Sequence, residues 1–348
     1  MIDKDKVTNR IYSSGNELLD KKIAELVNEF AMGENTDIAR EIIITGFKLL
    51  NPGISRLDLK ILNSSLKEVY KAFMMFSKYR GVKKVSVFGS ARTKPDNPNY
   101  KIALEFSNKI AQLGYMVITG AGPGIMQAGN EGAGPDKSFG VSIRLPFEYE
   151  PNPHIAKDKV LKFKYFFARK LAFAKETNAI VLCHGGVGTL DEGFELLTLL
   201  QTGKSNPLPV VMLEPPGGTY WKKLDDFIKT EMLAEGLISE EDLALYKIVY
   251  SADEAADEIN NFYKNYHSLR FVGELLVIRM QRELSAEALS VINEKFSDIA
   301  VKGSITQSKA LAEEENEIEL SELTRLVFNF NRKSYGRLRM LIDEINKI

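Results

Sequence analysis

The sequence predicts an α/β protein, a Rossmann-like doubly wound parallel sheet set between an N-terminal helical region (1–80) and a small C-terminal α+β module (264–348). Three observations predict it. Short, continuously apolar runs recur from Lys84 onward, as strands buried on both faces require. Segments of helical period alternate with those runs, which gives parallel strands joined by right-handed crossovers. Glycines gather in the turns that directly follow three of the runs.

Residues 1–80 place apolar side chains at helical spacing: Leu18, Leu19, Ile23, Leu26, Val27 and Phe30, then Ile38, Ile42, Ile43, Phe47 and Leu50. The Gly33–Asp37 run, GENTD, separates these two segments, with Asp37 the expected N-cap. A third segment spans Leu57 to Tyr79. Such stripes read as a packing or dimerisation layer.

The Rossmann-like domain is expected over 81–263. Its strands are Lys84–Phe88, Tyr115–Thr119, Ser138–Ile143, Ala179–Cys183, Pro209–Leu213 and Ile248–Tyr250, and its helices Ile102–Leu113, Ile125–Ala133, Phe163–Glu176, Leu190–Gln201 and Tyr220–Met232. Beyond Tyr266 the pattern becomes a long strand (Leu269–Met280), a helix (Ala286–Lys295), two strands (Ile299–Ile305, Arg325–Asn329) and a closing helix (Ser334–Ile345). The acidic run Ala312–Glu319 reads as a solvated loop or frayed helix.

Composition excludes several classes. The 348 residues carry 46 Lys+Arg against 47 Asp+Glu, a formal charge of −1, so the chain lacks the global positive field that drives nonspecific binding to nucleic acid or anionic membranes. With 44% hydrophobic and 27% charged residues it falls within ordinary globular composition. Its one cysteine, Cys183, rules out an intrachain disulfide framework and any multi-cysteine metal site, and points to a reducing, cytoplasmic setting. No apolar run reaches the roughly 18 residues of a membrane span, and the opening residues lack the apolar core of a secretory signal.

In an open parallel sheet, ligands bind at the carboxyl ends of the strands. The first glycine turn, Gly89-Ser90-Ala91-Arg92, either contacts a ligand through Ser90 and Arg92 or is a tight turn with an exposed arginine. The second, Gly120-Ala121-Gly122-Pro123-Gly124, leads into a helix whose free N–H groups suit an anion such as phosphate. Its GxGxG spacing, after the second strand of the domain and not the first, disfavours a nicotinamide-dependent oxidoreductase. The third, His184-Gly185-Gly186-Val187-Gly188-Thr189, forms a second phosphate cradle, with Thr189 as hydroxyl donor or cap. Asp191 and Glu192 follow in the first helical turn, either as dipole complements or aimed at another part of the ligand. Upstream, Arg169 and Lys170 are the cations able to offset that charge, with arginine suited to a bidentate grip.

Taken together, Phe166-Phe167-Ala168-Arg169-Lys170 and Gly185-Gly186-Val187-Gly188-Thr189-Leu190-Asp191-Glu192 resemble the RK and PGGxGTxxE motifs of the LOG (Lonely Guy) family, whose members long carried the label "lysine decarboxylase-like". Val87–Arg92 (VFGSAR), Thr119–Met126 (TGAGPGIM), Pro146–Glu148 (PFE) and Leu196–Lys204 (LLTLLQTGK) are similar to its larger bacterial branch. The resemblance covers about 85–255, and His184 departs from it by standing where the family has proline.

The resemblance implies hydrolysis of the N-glycosidic bond of a nucleoside 5′-monophosphate to free base and ribose 5-phosphate. Glu192 and Arg169 would be catalytic. Gly89, Ser90, Arg92, Gly120, Gly122, Gly124, Lys170, Gly185, Gly186, Gly188, Thr189 and Asp191 would bind substrate. It implies no metal or other cofactor, no nucleic-acid or membrane partner, and a homodimer or larger homo-oligomer. The flanking regions could bind an allosteric nucleotide effector. A nucleotide-sensing module that binds without cleaving is the alternative from another functional class.

Overall fold

The computed structural model describes residues 12–30, 33, 35–146 and 150–348. Phe147 and Glu148 of the PFE segment, Glu34 of GENTD and the opening residues up to Ile11 lie outside the described residues. The chain divides between Lys67 and Glu68 into two compact units.

The first unit holds α1 (Glu17–Phe30), α2 (Thr36–Lys48) and the start of α3 (Arg56–Ser77). Ile23 and Val27 of α1 pack with Ile44 of α2 in a small core of their own, while Leu18, Leu26, Phe30, Ile38 and Ile42 stay exposed. The α2 N-cap is Asn35, so Asp37 sits in the first turn, where its charge still complements the helix dipole.

The second unit is built on a seven-stranded parallel sheet in the order β4-β3-β2-β1-β5-β6-β7. Its strands are β1 (Lys84–Phe88), β2 (Met116–Thr119), β3 (Ser138–Ile143), β4 (Val160–Phe163), β5 (Ala179–Leu182), β6 (Val210–Leu213) and β7 (Lys247–Val249). Side chains alternate strictly across it. Val85, Val87, Val117, Val181 and Val211 face one layer, formed by α4 (Pro98–Gln112), α5 (Ile125–Ala133) and α9 (Ala252–Phe262). Phe88, Ile118, Ile180, Leu182 and Met212 face the other, formed by the end of α3, α6 (Phe166–Glu176), α7 (Val187–Gln201) and α8 (Tyr220–Phe227). Both faces are buried, which is why the strands read as apolar runs without a polar side.

Strand order reverses between β1 and β5, so their carboxyl ends open a crevice at the switch point. Phe88 pairs with Leu182 in register. Cys183 N–H donates to Phe88 O at 2.8 Å and Ser90 N–H to His184 O at 2.9 Å, tying the two outgoing turns together. Cys183 itself is fully buried, and burial pushes its thiol up to about 12.

Several elements differ from the sequence reading. Val160–Phe163 is an edge strand, whereas the helical pattern had been extended back to Phe163. The Ala252–Phe262 helix, capped by Ser251, was not anticipated. The expected Tyr220–Met232 helix is α8 followed by a wider π-type turn, Ile228–Leu233.

The C-terminal part is a four-stranded antiparallel sheet, ordered β10-β11-β9-β8, packed against α10 (Ala286–Phe296) and α11 (Tyr335–Lys347). The single strand expected over Leu269–Met280 is a hairpin of β8 (Tyr266–Val272) and β9 (Leu275–Met280), turned at Gly273 with φ +57°. The strand expected over Ile299–Ile305 is instead β10, Thr306–Ser308, which pairs with β11 (Thr324–Phe328). The acidic run departs furthest from expectation. Glu314 is buried and accepts from Arg279 Nε at 2.9 Å and Arg325 Nε at 3.2 Å. Among the described residues, no helix is long and apolar enough to cross a membrane.

Candidate functional site

The turns after β1, β2 and β5, with the first turns of α6 and α7, line a cavity of about 910 Å³ at the switch point. That is ample for a nucleotide-sized ligand, since small-molecule sites span roughly 300–1,000 Å³.

Gly89, Ser90 and Arg92 line it from the β1 turn, Gly120 and Gly122 from the β2 turn, and Gly185, Gly186, Gly188 and Thr189 from the β5 turn. These glycines do different jobs. A Cβ on Gly89 would strike Ile125 at 2.6 Å, on Gly122 Met126 at 2.6 Å, and on Gly185 the Thr189 hydroxyl at 2.0 Å, so these positions let neighbouring side chains close in. Gly186 and Gly188 face open space, leaving backbone bare to a ligand. Neither α5 nor α7 has a capping side chain; Ile125 N–H donates to Ser90 O and Thr189 N–H to Gly186 O, and the amides of Met126 and Gln127 in α5 and of Val187 and Gly188 in α7, which have no partner among the described residues, remain for an anion.

Gly124 lies outside the cavity wall. It has φ +67°, and a Cβ there would meet Ser90 O at 2.3 Å, so its role in this fold is close backbone packing. Gly124→Ala should therefore cost about 1–3 kcal/mol in urea unfolding, while Gly188→Ala should cost little stability. The β2 turn also holds Ala121 at φ 64°. A buried polar set supports it: Thr119 Oγ1 donates to Asn130 Oδ1 at 2.6 Å, and Asn152 donates from its backbone to Ala121 O at 2.9 Å and from Nδ2 to Gly122 O at 3.1 Å.

At the floor, Arg169 Nη2 donates to Oε1 of Glu192, a residue that is 2% exposed, at 2.6 Å. The guanidinium lies over the Phe166 and Phe173 rings at 5.0 and 5.7 Å, which fixes its plane. Glu192 Oε2 is buried and has no protein partner. Burial raises the Glu192 pKa above the ordinary glutamate value, and Arg169 and Lys170 only partly offset it. The result is a carboxylate held in place at one oxygen and unengaged at the other.

Lys170 and Asp191 do not line the cavity. Lys170 Nζ binds Asp191 Oδ2 at 3.0 Å and Glu195 Oε2 at 2.6 Å. Burial works to lower the lysine pKa, but these two acids raise it on balance.

Sequence reasoning missed a second cluster, formed around His184 by Glu214 and Tyr220. His184 Nε2 lies 2.9 Å from Oε2 of Glu214, a fully buried acid that also accepts from Tyr220 N–H at 2.9 Å. The Tyr220 ring lies against His184, tilted by 31° with centroids 4.5 Å apart, and its hydroxyl donates to Gly185 O at 2.7 Å. His184 and Tyr220 also line a smaller apolar pocket with Leu190, Leu224 and Phe227. The signal for Glu214 was present in the sequence: an acid directly after the β6 run VVML stands where open sheets present ligand-binding groups. No cluster of three or more His, Cys, Asp or Glu placed to hold a metal occurs among the described residues.

Residues 122–259 match the model of the family described as "possible lysine decarboxylase". No match is found among curated proteins. Among solved structures, the chain is similar to the molybdenum cofactor carrier protein of Chlamydomonas reinhardtii, at 20% identity, TM-score 0.38, over 51% of this chain and 96% of that one. It is similar to the molybdenum cofactor binding protein of Rippkaea orientalis, at 19% identity, TM-score 0.37, over 51% and 94%. It is also similar to DNA processing protein A of Streptococcus pneumoniae, at 14% identity, TM-score 0.36, over 68% and 86%. Likenesses this distant carry no functional argument.

Proposed function

We propose that the protein is a LOG-type phosphoribohydrolase, cleaving the N-glycosidic bond of a nucleoside 5′-monophosphate to free base and ribose 5-phosphate. The observation that carries this reading is the buried Arg169–Glu192 pair, with one carboxylate oxygen unengaged, beside two uncapped helix N-termini. The 5′-phosphate would sit on the amides opened by Gly186 and Gly188, with Arg92 and the helix dipoles adding charge.

Bond cleavage builds positive charge on the ribose. A carboxylate fixed beside C1′ stabilises that charge and accepts a proton from the attacking water. Arg169 keeps Glu192 in place through its other oxygen. Lys170, paired to Asp191 and Glu195, acts on Glu192 through its field.

Incubating the purified protein with AMP, GMP, CMP and UMP, and with the matching nucleosides, tests the reading by chromatography of released base. Base is expected from at least one monophosphate and not from its nucleoside. Monophosphates that bind without releasing base would replace the hydrolase with the nucleotide-sensing reading.

A further inference from the structure

We infer that His184, held by Glu214, is the acid that protonates the departing nucleobase. This rests on the hydrolase reading above and assigns a second catalytic group to the same site.

A purine or pyrimidine leaves poorly as an anion, so hydrolysis gains from a proton donor on the base side of the bond. Few groups can serve. The titratable side chains lining the cavity among the described residues are Arg92, Arg169, His184, Glu192 and Tyr220. Arginine does not give up its proton in a protein. Glu192 is the water-side base, and the Tyr220 hydroxyl is committed to Gly185 O at 2.7 Å. His184 is left.

Its setting fits the task. The Glu214 carboxylate can only accept, so Nε2 carries the hydrogen of the 2.9 Å contact. Nδ1 makes no protein hydrogen bond among the described residues, and it is the nitrogen left to exchange a proton with a ligand. Glu214 is fully buried, Gly218 leaves the room its carboxylate occupies, and Tyr220 N–H holds Oε2 at 2.9 Å. The Tyr220 ring, tilted against the imidazole with centroids 4.5 Å apart, packs on it. A carboxylate that fixes tautomer and orientation and stabilises the imidazolium is the arrangement by which other enzymes activate histidine.

The step balances. A water oxygen attacks C1′ as the C1′–N bond breaks and its electron pair passes to the base. Glu192, starting as the carboxylate, takes one proton from the water, and His184, starting as the imidazolium with hydrogens on both ring nitrogens, gives the one on Nδ1 to the base nitrogen and keeps the one on Nε2. Products are neutral base and ribose 5-phosphate. Proton exchange with solvent returns both side chains to their starting states.

The test compares a hydrolysed nucleoside monophosphate with p-nitrophenyl β-D-ribofuranoside 5-phosphate, whose leaving group departs as a stable anion and needs no proton. His184→Asn should lower kcat on the monophosphate by about 10²-fold or more and leave release of p-nitrophenolate largely unchanged. Glu214→Gln, which keeps a side-chain acceptor but loses the charge, should show the same split with a smaller loss. Glu192→Gln should lose both reactions. Circular dichroism of each variant separates misfolding from lost chemistry.

Equal losses of His184→Asn on both compounds would make His184 a structural residue and overturn the inference, as would full activity on the monophosphate. Wild-type protein that releases nothing from either compound would overturn the hydrolase reading itself, and this inference with it.

Discussion

Glu192→Gln should lower kcat by about 10²–10⁴-fold, the range general-base groups contribute, while nucleotide affinity stays near that of the parent. In the proposed reading the phosphate rests on backbone amides and Arg92, none of which the substitution touches. Glutamine keeps an oxygen for Arg169 Nη2, which now donates to Glu192 Oε1 at 2.6 Å. What it removes is the proton-accepting charge.

The same variant should melt no lower than the parent. A carboxyl whose pKa is raised in the folded protein makes its ionised form costly there, and that cost is present at every pH above the unfolded value. Glutamine mimics the protonated form and relieves it. The sign also sets the pH profile: the base works when deprotonated, so the acid limb of kcat/KM should lie above the ordinary glutamate range. An acid limb inside that range, or an active Glu192→Gln protein, would leave Glu192 as a helix-terminal charge only.

The largest expected stability effect lies far from the site. Glu314→Ala should cost about 3–5 kcal/mol, the penalty for leaving buried charge unpaired, read as a lowered midpoint in urea unfolding. Arg279 and Arg325 are 5% and 0% exposed and both converge on this carboxylate; without it Arg279 keeps Glu317, but Arg325, left with only the carbonyls of Ser321 and Leu323, is a buried cation with no carboxylate among the described residues. Arg325 Nη2 already lacks a partner. Burial works to raise the Glu314 pKa, but hydrogen bonds from Arg279, the Leu311 amide and Arg325 outweigh it and hold it below the ordinary value. The stabilisation is therefore present above the unfolded pKa and lost as pH falls through the lower folded one. A variant within experimental error of the parent would mean that water reaches the cluster.

Glu314 also shows what the sequence could and could not reveal. The parallel sheet was legible because both its faces are buried and its strands are apolar throughout. Glu314 was read as solvated, since an acidic run has no periodicity and its partners lie 35 and 11 residues away in the chain. Val160–Phe163 escaped notice because an edge strand with Lys162 exposed runs straight into a helix of similar composition. The β8–β9 hairpin looked like one strand because only Gly273 and Glu274 interrupt its strand-forming residues.

The site divides along the same line. Arg169 and Glu192 were readable from motif and residue chemistry. Glycine spacing, by contrast, could not separate Gly124, which admits Ser90 O, from Gly186 and Gly188, which face open space. Nor could it show that Lys170 and Asp191 satisfy each other, because that depends on how α6 and α7 pack.

Cys183, the chain's one thiol, sits between the last residue of β5 and His184, with no exposed surface and a protonation equilibrium far from neutrality. Alkylation requires the thiolate in contact with reagent, so in the closed protein it is blocked on both counts. The chain thus carries its own single-channel clock. The rate at which a reagent marks Cys183 reports how readily the fold around β5 opens, and slowing of that rate by a nucleotide would record how far the ligand stabilises the closed state.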